Sequence, residues 1–261
     1  MSAGGIALAV EGLTLRFGGL TAVDNVSFEV REGEVLSLIG PNGAGKTSAF
    51  NAITGYIEPA RGEIRYRGAR LTGLKPNAVA ARGVVRTFQK TSIFAGQTVH
   101  DNVAIGRHLH SRQRTLAILA GLSSVAREEA QLAQDVGDIL RFVGLQSRAD
   151  TVAASLPYGE LRLLEVAIAL AAKPTLLLLD EPVSGMNPVE TASFMKLLGA
   201  IRARGITILL VEHDMKMVMG ASDRIICLNQ GRIIASGTPD HIQGHPEVIL
   251  AYLGSKYAAK T

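Results

Sequence analysis

The chain has 261 residues, 47% of them apolar and 19% charged, which allows a substantial buried core and excludes a disordered polypeptide. Its net charge of +4 comes from scattered basic residues, so charge does not suggest nucleic acid as a partner, while anionic lipid headgroups remain compatible. The single cysteine, Cys227, excludes an internal disulfide, fits a reducing compartment and reads as a buried structural thiol within an apolar run. Met1–Gly5 lacks a basic n-region, and no apolar stretch approaches the ~20 residues of a membrane span, so neither a signal peptide nor an anchor is expected.

From Ile6 to Glu34 apolar residues alternate at Leu8, Val10, Leu13 and Leu15, then at Val26, Phe28 and Val30. This is the pattern of half-buried antiparallel strands, with a turn at Phe17-Gly18-Gly19. An apolar strand, Val35–Ile39, leads into Gly40-Pro41-Asn42-Gly43-Ala44-Gly45-Lys46-Thr47, and Ser48–Ile53 continues as helix. Strand, glycine loop and helix are the context of the P-loop, G-x-x-x-x-G-K-[ST]. Glycines at 40 and 45 let successive N–H groups point into one concavity, and the helix adds unpaired N–H groups and a positive dipole end. Lys46 is then expected to reach the β- and γ-phosphates of a nucleotide, and the Thr47 hydroxyl to coordinate Mg²⁺.

Further on, Glu63–Tyr66 reads as strand, Pro76–Ala81 as a short helix and Gly83–Phe88 as strand ending at Gln89. Residues 95–172 show helical patterning alone: Thr98–His110, the short apolar Thr115–Leu122, Val125–Val143 stopped by Gly144, and a helix opened by Pro157-Tyr158-Gly159-Glu160 and running to Ala172. The α/β pattern then resumes. Leu176–Leu179 is continuously apolar, as in a strand covered on both faces. Val189–Arg204 is helix, Ile206–Val211 strand, Met215–Ala221 helix, Arg224–Leu228 and Arg232–Ala235 a hairpin about Asn229-Gln230-Gly231, and His245–Lys256 a final amphipathic helix.

Asp180-Glu181 follows the leucine strand. Ligands of open parallel sheets bind beyond the carboxyl ends of strands, which puts both acids near the P-loop. Asp180 is expected to hold Mg²⁺, and Glu181 to orient or deprotonate the attacking water.

This ordered set resembles the ATP-binding cassette (ABC) ATPases over nearly the whole chain: Gly40–Thr47, Gln89 after a strand, Leu156–Glu160 opening a helix, Leu176–Pro182, and His213 after a strand. Arg16-Phe17-Gly18-Gly19-Leu20, Gly185-Met186-Asn187-Pro188, Glu212-His213-Asp214-Met215 and Ala251-Tyr252-Leu253-Gly254 are similar to one branch, the ATP-binding subunits of bacterial branched-chain amino acid importers. The resemblance implies an α/β P-loop NTPase core of the RecA-like kind (1–94 and 173–261), with an N-terminal antiparallel β subdomain and an inserted helical subdomain (95–172).

It further implies that Phe17 stacks on adenine, that Gly40–Thr47 and Ser48 bind ATP, and that Gln89 touches Mg²⁺ and senses a transmembrane partner. His213 contacts the γ-phosphate as a catalytic group beside Glu181, Gln89 and Lys46. Pro157, Tyr158, Gly159 and Glu160 form a signature loop acting in trans, and Asn187 stands in the loop after the acids. The site is completed by a second cassette, identical or paralogous. Transmembrane permease subunits and, indirectly, an extracytoplasmic solute-binding protein are the other partners, with the chain peripheral on the cytoplasmic face of the bacterial inner membrane.

The signature departs from the common Ser-Gly-Gly-Gln: no serine hydroxyl is present, although proline suits a first helical turn and the Gly159 N–H stays available. Leu161, Leu163 and Ile168 leave this helix apolar almost all round, and Asn187 replaces the usual Asp. Competing readings are a lipopolysaccharide-export or amide/urea transporter ATPase, a soluble cassette of translation or DNA repair, and a non-hydrolysing nucleotide-dependent interaction module.

Overall fold

The structure, a computed structural model, describes residues 5–87, 93–107 and 123–258, without the side chains of 123–129 and 253–258. Gln89 and the Thr115–Leu122 stretch lie outside the described residues. The chain divides into two compact units, one formed by residues 1–86 with 175–261 and the other by Thr87–Pro174.

In the first unit, β1 (Ile6–Phe17) and β2 (Leu20–Arg31) form a long antiparallel hairpin that closes with Phe17 opposite Leu20. Its inward residues Leu8, Val10, Leu13, Leu15, Val26 and Val30 are buried, as the alternation requires. Register shifts between Val10 and Leu13 reflect a bulge at Gly12. The short strands β4 (Arg61–Tyr66) and β5 (Ala69–Arg70) extend this sheet in the order β2-β1-β4-β5.

A second sheet has six strands: β3 (Val35–Ile39), β6 (Val84–Arg86), β7 (Leu176–Asp180), β8 (Thr207–Val211), β9 (Arg224–Asn229) and β10 (Arg232–Gly237), in the order β10-β9-β3-β8-β7-β6. The pairs from β9 to β6 are parallel, and β10 adds an antiparallel edge. Every residue of β3, β7 and β8 is buried, which explains their lack of alternation. Flanking helices are α1 (Lys46–Ile53) and α2 (Pro76–Ala81), with others given below where they enter.

In the second unit, α3 (Val99–Gly106) starts at Thr98, whose hydroxyl accepts the Asp101 N–H at 3.0 Å. The helices α4 (Ser123–Val143) and α5 (Tyr158–Ala171) pack with it. An added Cβ on Gly106 would sit 2.4 Å from the Ile168 carbonyl, so glycine permits the close approach of α3 and α5. The buried Asn102 accepts the Phe94 N–H at 2.7 Å and donates to the carbonyls of Phe94 and Thr98, which ties the entering chain to α3.

One expectation here is corrected. The α5 helix is not apolar almost all round: Arg162 and Glu165 pair at 2.8 Å with little exposure, and Arg162 donates to the Tyr158 hydroxyl at 2.6 Å and stacks over its ring. The charges satisfy one another, so they can be buried.

The first unit ends with α6 (Pro188–Ala203), α7 (Met215–Ala221), α8 (Pro239–Gln243) and α9 (Pro246–Ala258). The sequence reading did not include α8. In α9 the apolar residues are not confined to one face: Val248 is buried and Tyr252 half-buried, whereas Ile249 and Leu250 are exposed.

Candidate nucleotide site

The loop after β3 approaches its surroundings closely. Gly40 has φ 146°, and a Cβ there would fall 2.1 Å from the Leu228 carbonyl oxygen. Gly45 has φ 104°, and a Cβ there would lie 2.6 Å from the Ala22 carbonyl oxygen on β2. Both positions therefore require glycine, for conformation and for space.

Gly45 is the N-cap of α1 and offers no side-chain acceptor, and no acid occupies the first turn. The opening N–H groups of this helix have no intrahelical partner and form an anion-binding end. Lys46 is buried, and its ammonium donates to the carbonyls of Gly40 at 2.6 Å and Pro41 at 3.0 Å. Burial lowers its pKa below the usual lysine value, opposed by the nearby carboxylates of Glu181 and Asp180. Its tie to the loop's own carbonyls was not foreseen.

Asp180 ends β7 and is almost wholly buried. Arg86 at the end of β6 contacts it, Nη2 to Oδ2 at 2.5 Å. The same guanidinium donates to Asn51 Oδ1 on α1 at 2.6 Å and stacks over Phe50. Arg86 thus joins the helix of the phosphate loop to the acid strand.

Glu181 follows with φ 49°, a left-handed conformation uncommon for glutamate. Its N–H donates to the Val211 carbonyl at 2.8 Å, and its Oε1 lies 2.9 Å from His213 Nε2. The carboxylate of Glu212, 2% exposed, holds both turns: it accepts N–H bonds from Val183 at 2.9 Å, His213 at 2.7 Å and Asp214 at 3.3 Å.

Thr47 is exposed on the first turn of α1, and Asp180 is the last residue of β7, which runs parallel to β3 in the same sheet. A hydroxyl and a carboxylate are hard oxygen donors that suit Mg²⁺, which keeps waters and phosphate oxygens for its other positions. Among the described residues no group of three or more His, Cys, Asp or Glu could hold a metal alone, so the donor set fits an ion brought with phosphates.

Phe17, 45% exposed, stands at the end of β1 rather than in the core. Pro157 caps α5, Tyr158 is exposed, Gly159 is buried, and Glu160 pairs with Arg148 at 3.0 Å. Asn187 forms a full capping box with Glu190, accepting the N–H groups of Val189 and Glu190 at 2.9 and 3.0 Å. Asn and Asp cap equally well, which gives this departure a structural reason.

Sequence reasoning missed Arg86, Asn51 and any role for Glu212. The one available signal was an acid directly after the apolar run Ile208–Val211, at Glu212.

A largely parallel sheet with a phosphate loop after the inner strand β3, and acids after β7, separated from it by β8, defines a P-loop nucleotide hydrolase. The ABC transporter family model matches residues 23–184, and the model described as branched-chain amino acid ATP-binding cassette transporter matches 232–258. The chain belongs to the ABC transporter family as one of its ATP-binding proteins, a class that hydrolyses ATP. It is 45% identical to the high-affinity branched-chain amino acid transport ATP-binding protein LivG of Salmonella typhimurium, over 95% of this chain and 97% of that one. The corresponding BraF of Pseudomonas aeruginosa is 44% identical with the same coverage. The solved structure of MJ1267, an ABC transporter cassette in its ADP conformation, superposes with a TM-score of 0.84 at 30% identity, covering 95% of this chain and 99% of that one.

Proposed function

We propose that this chain powers uptake of branched-chain or other hydrophobic amino acids through separate membrane subunits. Support for the substrate class comes from near-full-length similarity to LivG and BraF together with the match at 232–258. The hydrolytic role rests on one observation: Glu181 and His213, at the ends of adjacent strands β7 and β8, are 2.9 Å apart on the side of the sheet where the β3 loop lies.

The loop and helix start at Gly40–Ser48 bind the ATP phosphates, and Lys46 exchanges its loop carbonyls for the β- and γ-phosphate oxygens. Phe17 stacks on adenine. Thr47, Asp180 and Gln89 hold Mg²⁺, which supplies charge neutralisation at the phosphates. Glu181 orients or deprotonates a water as it attacks the γ-phosphorus, and the bond to the β,γ-bridging oxygen breaks, giving ADP and phosphate. His213 contacts the γ-phosphate and holds Glu181 in place.

A second cassette, identical or paralogous, brings its own Pro157–Glu160 helix end and Asn187 loop to complete each site. Residues 95–172 form the helical subdomain in this reading, and 1–94 with 173–261 the catalytic core. The assembly sits on the cytoplasmic face of the inner membrane, bound to permease subunits fed by a solute-binding protein. Among the described residues no helix is long and apolar enough to cross a membrane.

The test is ATP-driven uptake of leucine by proteoliposomes holding the chain with its permeases and binding protein. Uptake that is lost with Glu181→Gln is expected. Hydrolysis without uptake of leucine, isoleucine or valine would remove the amino acid assignment and leave the ATPase.

A further inference from the structure

The C-terminal helix reaches the phosphate loop through one side chain. The Gly40 N–H donates to the hydroxyl of Tyr252 on α9, at 2.9 Å, across 212 residues of sequence. On the other side of the same α-carbon, the Gly40 carbonyl accepts the Lys46 ammonium at 2.6 Å. Gly40 is therefore held at both ends, in a φ that only glycine adopts easily, against the Leu228 carbonyl.

The parallel ladder does not supply this N–H with an acceptor. The β3–β8 pairing ends at Leu38 opposite Val211, and the β3–β9 pairing at Ile39 opposite Cys227. The phenol takes over where the sheet stops. Its ring packs on a cluster formed by Ile39, Val218, Ile225, Cys227, Ala235 and Val248, which fixes the direction of the hydroxyl. Burial pushes the phenol up to about 12, so it stays neutral at physiological pH and places no negative charge beside bound phosphates.

We propose that Tyr252 is a positioning residue of the nucleotide site, through which the C-terminal helix holds Gly40, and with it the start of the phosphate loop, in binding geometry. This gives the 232–258 segment a task at the nucleotide as well as in packing. The inference rests on the assignment of Gly40–Ser48 to the phosphates.

The test pairs Tyr252→Phe with Lys46→Ala in the full chain, using a fluorescent ATP analogue with Mg²⁺, steady-state hydrolysis and amide exchange at Gly40. Tyr252→Phe keeps the ring and is expected to fold, with a Tm lower by a few degrees because the buried Gly40 N–H loses its acceptor. The expected result is nucleotide affinity about fivefold weaker, the factor carried by one neutral hydrogen bond. KM should rise by the same factor, with kcat within twofold and Gly40 exchange accelerated.

Unchanged affinity and exchange in a folded Tyr252→Phe protein would overturn the proposal and leave the tyrosine as packing. Fast Gly40 exchange in the wild type would overturn it too, whether or not the variant folds. Lys46→Ala distinguishes the two failures. If it binds nucleotide normally, the phosphate-loop assignment fails; if it loses binding while Tyr252→Phe does not, only the present inference fails.

Discussion

His213 Nε2 and Glu181 Oε1 lie 2.9 Å apart, although 32 residues separate them in the chain. The contact joins the first residue after β7 to the second residue after β8. In the proposed mechanism a water activated by Glu181 depends on a carboxylate held in one direction, and the contact with His213 would supply that hold. Glu181→Gln should keep ATP binding and reduce phosphate release by a factor of about 100 or more. His213→Ala should also cut turnover while leaving nucleotide affinity within a few-fold. Fast turnover by a purified Glu181→Gln protein would remove Glu181 from the role.

Glu212 controls the same two turns from below. Replacing it with alanine strands the buried N–H groups of Val183 and His213, the two close partners of its carboxylate. A loss of about 2–4 kcal/mol is expected, together with a fall in kcat, because the acid and histidine turns lose their common support. Glu212→Gln keeps one acceptor and should recover part of both. Thermal unfolding and phosphate release on the two variants check this; equal damage from both would point to charge rather than acceptor geometry.

Arg86 bridges Asp180 and Asn51 in a nearly dry environment. Arg86→Ala removes the cation facing a buried carboxylate, and should destabilise the protein by about 3 kcal/mol. Arg86→Lys should rescue little, since a single ammonium cannot span both oxygens as a guanidinium does. Mg·ATP is expected to raise the Tm of Arg86→Ala more than that of the wild type, because bound Mg²⁺ restores a cation near Asp180. Equal shifts would separate Asp180 from the metal.

Lys46 provides a pH signature. Burial holds its folded-state pKa below the 10.5 of free lysine, so ATP affinity should decline as pH rises through that lowered value, before free lysine would discharge. The linked stability runs the other way. Between the folded pKa and 10.5 the unfolded chain binds more protons, so this residue's contribution to stability rises with pH. Nucleotide titrations at rising pH should show the decline in the wild type below the pH at which free lysine discharges, and no such decline in the weakened binding that Lys46→Ala retains.

How far the site was legible depends on how local each part is. Gly40–Thr47 carries its strand, loop and helix within a few residues, and Asp180-Glu181 follows directly from the leucine strand, so both could be read. Arg86 could not, because its meaning lies in Asn51 and Asp180, 35 and 94 residues away. Tyr252 was visible only as part of the Ala251–Gly254 run, with nothing to suggest Gly40. The Arg162–Glu165 pair was missed for another reason: hydropathy scores charges singly, whereas these two bury each other. The short α8 did carry a signal, a Thr238 cap followed by Pro239 at the first helical position, and the hydroxyl does accept the His241 N–H at 3.4 Å.

The pairing of β3 also bears on how the chain is made. Val35 lies beside Ile208, and Leu36 beside Arg224, so the strand that carries the phosphate loop finds both neighbours only after the intervening residues, including the whole Thr87–Pro174 unit, have been synthesised. At ~5–20 residues per second a ribosome needs on the order of ten seconds or more to deliver them. During that interval β3, apolar except for Ser37, has no sheet to join, and contacts of such long separation form slowly. The nascent chain therefore carries an unpaired apolar strand before it is an enzyme, and the window closes only when β8 and β9 emerge.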